Sequence, residues 1–328
     1  MRLLVTGGAG YIGSHVARQL RERGDEVVVY DNLVTGHAWA AGESELVVGD
    51  VGDRATLDRT LMHGFDAVLH FAASTVVPES VADPLKYYRN NTANTLNLIE
   101  AIRAAGIEVF VFSSTAAVYG MPNTSTVRED APLAPINPYG ACKMMSERIL
   151  TDTAAASPLR YGILRYFNVA GADPACRFGQ ASPDATHLIK VAAEASVGVR
   201  ERLSIFGTDY PTLDGTCVRD YIHVEDLAAA HLLLLDHLRE SGDSRLYNCG
   251  YGHGYSVREV VDAARRVTGV PFPVAEAERR QGDPAQLVAD STRLQRDLGW
   301  QPRYDDLETI VRHAYKWEQV WQDTATTA

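Results

Sequence analysis

Lysine is scarce in this chain. It stands at positions 86, 143, 190 and 316 only, and arginine supplies the rest of the 31 basic residues. Against 42 carboxylates the net charge is −11, and no basic run interrupts the sequence, which excludes an extended nucleic-acid surface. Cysteine is equally rare. Cys142, Cys176, Cys217 and Cys249 are too widely spread for a CxxC pair, so neither a zinc site nor a disulfide framework is expected, and reduced thiols in a cytoplasmic setting are. The histidines show no HExxH spacing, and no metal is expected. No apolar run approaches membrane-spanning length, and no signal-like apolar segment precedes the first strand. Internal repeats and low-complexity linkers are also missing. What remains is a chain of 328 residues, 46% hydrophobic, long enough for one large core or two modest ones.

Glycine carries the first positive signal. Leu3-Leu4-Val5 reads as a short strand and runs into Gly7-Gly8-Ala9-Gly10-Tyr11-Ile12-Gly13. Ile12, Val16 and Leu20 then recur at helical spacing until Arg23-Gly24, and Val27-Val28-Val29-Tyr30 forms a second strand that stops at Asp31. Strand, glycine turn, helix, strand and acid within one βαβ unit is the pattern of a dinucleotide site. Gly7, Gly10 and Gly13 let the backbone turn tightly against a pyrophosphate, and the helix that follows offers free amides and its positive end. Asp31 can accept hydrogen bonds from both ribose hydroxyls and repels a 2′-phosphate, which favours NAD over NADP.

The alternation continues. Strands are expected at Leu46-Val47-Val48, ending near Asp50-Val51, at 66–73, at 109–112 and at 161–166, with long helices over 84–105 and from Tyr139. This predicts an α/β fold with a doubly wound parallel sheet of the Rossmann type and a smaller C-terminal α/β part. Ligands then lie at the carboxyl ends of the strands, where Asp31, Asp50, Phe71-Ala72-Ala73, Thr115 and Phe167-Asn168 fall. His70 precedes that edge on an apolar strand and reads as a satisfied core histidine.

Asn137-Pro138-Tyr139-Gly140-Ala141-Cys142-Lys143 supplies the chemistry. Asn is a good N-cap and Pro suits the first turn. A spacing of four places Tyr139 and Lys143 on one helical face. An ammonium near a phenol favours phenolate, so the phenol can exchange a proton near neutral pH. With a hydride carrier in the same domain, that is the proton half of an alcohol oxidation. Cys142, between them, reads as packing.

At this point the residues resemble the extended short-chain dehydrogenase/reductase family, and within it the branch that epimerises UDP-hexoses at C4. The similarity covers about residues 1–315 and is carried by TGGAGYIGSH (6–15), YDNL (30–33), HFAA (70–73), FSSTAAVYG (112–120), NPYGACK (137–143), LRYFNVAGA (164–172), IFGTDYPTLDGTCVRDYIHVEDLA (205–228) and RRQGDPAQLVAD (279–290). The resemblance implies an isomerase of carbohydrate and galactose metabolism that interconverts UDP-glucose and UDP-galactose with bound NAD. It implies Tyr139 as acid/base at the 4-hydroxyl, Lys143 as its tuner and nicotinamide-ribose ligand, and Thr115 as the third catalytic group. Gly7, Gly10, Tyr11, Ile12, Gly13, Asp31, Asn32, Asp50, Val51, Phe71, Ala72, Ala73, Asn90 and Phe167 would line NAD. Asn168, His187, Leu188, Ile205, Phe206, Arg219, Arg280, Asp283 and Leu287 would hold the UDP-sugar. A homodimer through the helices near 84–105 and 139–155 is implied as well.

Two positions depart from that pattern. Thr75 stands where some relatives place a Lys near the pyrophosphate. Leu287 stands where some carry Tyr, so room for an N-acetyl group, and activity on UDP-N-acetylhexosamines, is expected. Ala116-Ala117 after Thr115 lack the acid and base that a sugar-nucleotide dehydratase needs. An epimerase or decarboxylase of UDP-glucuronate or a UDP-pentose is the alternative, and a non-catalytic NAD sensor a minor one. The expected division is 1–168 for NAD, with about 216–240 returning to it, 169–322 for the UDP-sugar, and a disordered tail at 323–328. Helices are expected at His223-Leu227 and at Val257–Val267.

Overall fold

The structure, a computed structural model, describes residues 1–124, 126–182, 185–240, 242–280 and 283–327. The principal sheet has seven strands: β1 (Arg2–Thr6), β2 (Glu26–Asp31), β3 (Glu45–Val48), β4 (Ala67–His70), β5 (Val109–Thr115), β6 (Arg160–Tyr166) and β7 (Arg245–Cys249). Their spatial order is β3-β2-β1-β4-β5-β6-β7, with every pairing parallel. The order reverses between β1 and β4, so the ligand crevice of a doubly wound sheet opens there.

The strands are apolar on both faces because helices cover both. In β5, Phe110 and Phe112 face the helices Arg54–Leu61 and Asn94–Ala104, while Val109 and Val111 face Tyr11–Glu22 and Val224–Glu240. β4 ends at His70, earlier than the expected 66–73 strand, and β5 runs on to Thr115. The expected 84–105 helix is not uniform. Pro84–Tyr87 and Asn94–Ala104 are α-helical, and the turn Tyr88–Ala93 between them is π-helical, a form common beside functional sites. The His223 helix starts at Val224, since His223 closes the short strand Tyr221–His223.

The second layer is built from smaller sheets. Thr126–Val127, Gln286–Ala289, Val218–Arg219 and Tyr255–Ser256 form one, and Leu203–Phe206 pairs with Val274–Ala277 in another. Thr126–Val127 comes from the first half of the chain and β7 from the second, so both layers draw on both halves. The helix Leu307–Thr327 continues through most of the tail expected to be disordered; Ala328 lies outside the described residues. Amphipathic pattern explains the packed part: Trp317 is buried against Gly179 and Trp321 stacks on Trp317. Among the described residues, no helix is long and apolar enough to cross a membrane.

Candidate active site

Backbone makes the first part of the site. Gly7 has a φ of +72°, and a Cβ there would lie 2.4 Å from the Ala72 amide nitrogen, so the loop after β1 rests directly on the loop after β4. A Cβ on Gly13 would lie 2.2 Å from the Gly7 carbonyl oxygen. Gly10 is different: a Cβ there meets just that same oxygen, at 3.3 Å, and otherwise open space. Gly10 is also the N-cap of Tyr11–Glu22, and no side chain caps that helix, which leaves the first-turn amides for an anion.

Asp31 ends β2 beside this turn. Its carboxylate accepts from the Ala9 amide at 3.0 Å and the Leu33 amide at 2.9 Å, and burial nevertheless raises its pKa. Asn32 donates to Asp50 at 2.7 Å, and Asp50 in turn accepts from the Gly52 amide at 2.7 Å. Val51 is buried behind them. Tyr11 reaches the other way, its hydroxyl on the Gly171 carbonyl at 2.7 Å, while Ile12 packs against the core. Phe71, Ala72 and Ala73 follow β4, with Phe71 against the His231 ring at 4.9 Å. The π-helical turn holds that loop in place. Asn91 accepts from the Ser74 amide at 2.8 Å and donates to the Ser74 carbonyl at 2.9 Å, and Asn90 donates to the Ser74 hydroxyl at 3.0 Å. Thr75 is exposed.

Tyr139, Lys143 and Thr115 meet at the end of β5. Asn137 caps their helix through the Gly140 amide at 2.9 Å, with Pro138 in the first turn. Tyr139 and Thr115 share a hydrogen bond. Burial pushes the Tyr139 phenol up to about 12, against the pull of that bond. Lys143 shares the helical face, yet its ammonium donates to the Ser113 carbonyl at 2.8 Å and lies 4.8 Å from the centre of the Phe112 ring. Burial lowers it to about 8. From the sequence Lys143 is expected to favour the phenolate of Tyr139; in the structure its ammonium is bonded to Ser113, and the influences on the phenol are burial and Thr115. His70 sits between the Thr6 hydroxyl at 2.7 Å and the Thr95 hydroxyl at 3.0 Å, a packed core position.

The UDP-sugar candidates come from distant segments. Arg219 faces Leu287 across paired strands and lies 3.5 Å from Asp283. The Arg280 guanidinium lies 3.8 Å from the centre of the Phe206 ring, one residue beyond buried Ile205. Leu287 packs with Phe167 and Ala116, which brings this group to the end of β5. Asn168 joins through its amide on the Asp220 carbonyl at 2.9 Å. His187 and Leu188 arrive on another element, the head of Leu188–Ser196, with His187 bonded to Gln180 at 2.8 Å.

A family model for NAD-dependent epimerases/dehydratases matches residues 3–250. A UDP-glucose 4-epimerase from Azospirillum brasilense is 59% identical over 97% of this chain and 92% of its own. The chain belongs to the NAD-dependent epimerase/dehydratase family. Solved structures agree with this placement. The UDP-glucose 4-epimerase of Brucella ovis in complex with NAD superposes with a TM-score of 0.93 at 47% identity, covering 96% of this chain and 97% of that one. The UDP-Glc/GlcNAc 4-epimerase of Campylobacter jejuni gives 0.84 at 50% identity, covering 97% and 99%.

NAD, the family's cofactor, fits what the residues offer: an open cradle at Gly10, uncapped helix amides for a pyrophosphate, and a buried carboxylate at Asp31 for a ribose. Sequence reasoning missed several residues that shape this family site. Tyr166 shares a hydrogen bond with Ser113, next to the Lys143 contact. His231 lies under Phe71 and Tyr166. Glu225 accepts from His15 and Arg18 and braces the cofactor helix against Val224–Glu240. Ser113, Tyr166 and Glu225 lie inside segments that carry the resemblance, but their partners are far off in sequence, and His231 lies outside those segments.

Proposed function

We propose that the chain interconverts UDP-glucose and UDP-galactose, with Tyr139 as the proton carrier and NAD held between β1 and β4. The observation that carries this is the meeting of Tyr139, Lys143 and Thr115 at the carboxyl edge of the sheet, across from an uncapped glycine cradle. When bound, NAD accepts the C4 hydride and later returns it. Tyr139 takes the 4-hydroxyl proton and gives it back. Thr115 holds the phenol and the 4-oxygen in one line. Lys143, charged, binds the nicotinamide ribose and lowers the phenol once the pocket is filled. Asn168, His187, Leu188, Phe206, Arg219, Arg280 and Asp283 keep the UDP in place while the 4-keto sugar turns its other face. Two arginines suit this task, since guanidinium grips a diphosphate with several fixed donors. Ala116, buried, and Ala117 cannot transfer protons, so elimination of water has no second acid or base.

Residues 1–168, with 216–240, serve NAD in this reading, and 169–322 serve the UDP-sugar. Activity on UDP-N-acetylhexosamines is a second substrate class, favoured by Leu287 and by the name of the Campylobacter jejuni relative. A homodimer is supported by Leu85, Leu96 and Met145, exposed on the helices expected to pair. Four free cysteines accord with a cytoplasmic enzyme.

Incubation with UDP-galactose, UDP-GlcNAc, UDP-glucuronate and UDP-xylose tests the reading. Epimerisation of UDP-galactose is expected. Tyr139→Phe is expected to lose about 100-fold or more of kcat while retaining NAD; near-normal activity in that variant would sink the assignment.

A further inference from the structure

The four-residue spacing of Tyr139 and Lys143 does not stop at Lys143. One turn further along the same face stands Glu147, buried, and its carboxylate is occupied on every side. Arg165, on β6, donates from Nε at 3.0 Å to Oε1 and from Nη2 at 2.6 Å to Oε2. Ser114, on β5 and next to Thr115, donates its hydroxyl to Oε1. Arg165 is itself fixed, with Nη1 on the Tyr119 hydroxyl at 3.0 Å and on the Glu129 carbonyl at 3.2 Å. The mechanism above uses none of these groups.

We propose that Glu147 is a positioning residue for this reaction: anchored by Arg165 and Ser114, it fixes the Tyr139 helix on β5 and β6 and keeps the Lys143 ammonium charged. A buried ion pair is poor evidence for stability, because apolar residues of equal volume often serve as well. Its place is the informative part. It is bonded to β5, the strand that carries Ser113, Ser114 and Thr115, and to β6, and it continues the face that carries the reactive groups. Lys143 needs such a neighbour. The groups around it are Cys142 and Glu147 on its own helix, with Tyr139 one turn back, the Ser113 carbonyl and Phe112 ring on β5, and neutral His70 on β4; beyond them, on β6, Tyr166 is bonded to Ser113 and Arg165 to Glu147. Burial lowers Lys143, and Cys142 and Glu147 oppose that. Of these two, Glu147 is the carboxylate. It stands one helical turn from Lys143 on the same face, and Arg165, clasped to it from β6, holds it there.

The inference rests on the epimerase reading, and its test is separable from it. Glu147→Gln keeps shape and loses charge. The alkaline limb of kcat/KM for UDP-galactose, followed from about pH 6 to about pH 10, is expected to move to lower pH by about one unit. Near neutral pH, kcat is expected to fall about tenfold with KM nearly unchanged. The pH dependence of NAD binding should show the same displaced limb. The double variant Glu147→Gln/Arg165→Met removes the stranded cation. It should regain thermal stability and keep the displaced limb. A wild-type limb in the single variant overturns the proposal, and so does a double variant that regains the wild-type limb together with its stability. Should the single variant fail to fold, the double variant decides alone. Should the wild type turn over no UDP-sugar, the reading of function fails, and the NAD-binding limb still decides on Glu147.

Discussion

At the Gly7–Gly13 turn the groups that face the cofactor are peptide amides and the space left by absent side chains. At the other end of the site Arg219, Arg280, Asp283, Phe206 and Leu287, the residues proposed to hold the UDP-sugar, meet their neighbours mainly side chain on side chain. The first region fails when an atom is added, the second when one is removed. The first is assembled inside one βαβ unit. The second needs strands at 203–206, 218–219 and 286–289 to be paired before any of its residues meet.

The sharpest way to break the first region is Gly13→Ala. The added methyl has no room against the Gly7 carbonyl, so the turn must open, with a cost of about 1–3 kcal/mol in stability. Loss of bound NAD, read by absorbance of the purified protein, and loss of all turnover are expected. Glu225 supports the same region from behind. Burial alone would raise its carboxyl; the bonds from His15 and Arg18 outweigh that and hold it at about 2. A depressed carboxylate adds stability above its unfolded value of about 4.5, and that stability is lost as pH falls toward about 2. Glu225→Gln should therefore lower thermal stability near neutral pH, by about 3 kcal/mol, and flatten the acid side of the melting-temperature profile.

The second region should respond differently. Arg219→Ala is expected to raise KM for UDP-galactose by about 10- to 100-fold, the worth of a charged hydrogen bond, with bound NAD and the melting temperature little changed. Loss of NAD in that variant would erase the distinction between the two regions. The smallest effect belongs to Leu287→Tyr, which should reduce turnover of UDP-GlcNAc relative to UDP-glucose by about tenfold. A ratio that does not move would show that Leu287 does not border the 2-substituent.

The same contrast explains what could be read from residues alone. Gly7, Gly10, Gly13 and Asp31 signal through spacing within one unit, and Tyr139 and Lys143 through one helical repeat. Glu147 continued that repeat and was visible in principle, but a glutamate on a helix is usually solvated, and nothing local announced Arg165 across the sheet. The π-helical turn at Tyr88–Ala93 leaves no mark in periodicity over so few residues. β7 was invisible as a member of the main sheet because its partner, β6, lies far upstream. The tail was misread because polar threonines hide the helix that Trp317 and Trp321 pin down.

Three of the four tryptophans gather at one place. Trp39 lies 5.6 Å from Trp317 and 5.5 Å from Trp321, centre to centre, and His37 stacks on Trp39 at 5.6 Å. His37 is tied to the glycine turn, its amide on the Ala9 carbonyl at 3.0 Å. Indole emission overlaps the absorption of reduced nicotinamide and not that of the oxidised form. With NAD at that turn as proposed, quenching of this cluster is the expected optical sign of a turnover stalled with its hydride on the cofactor.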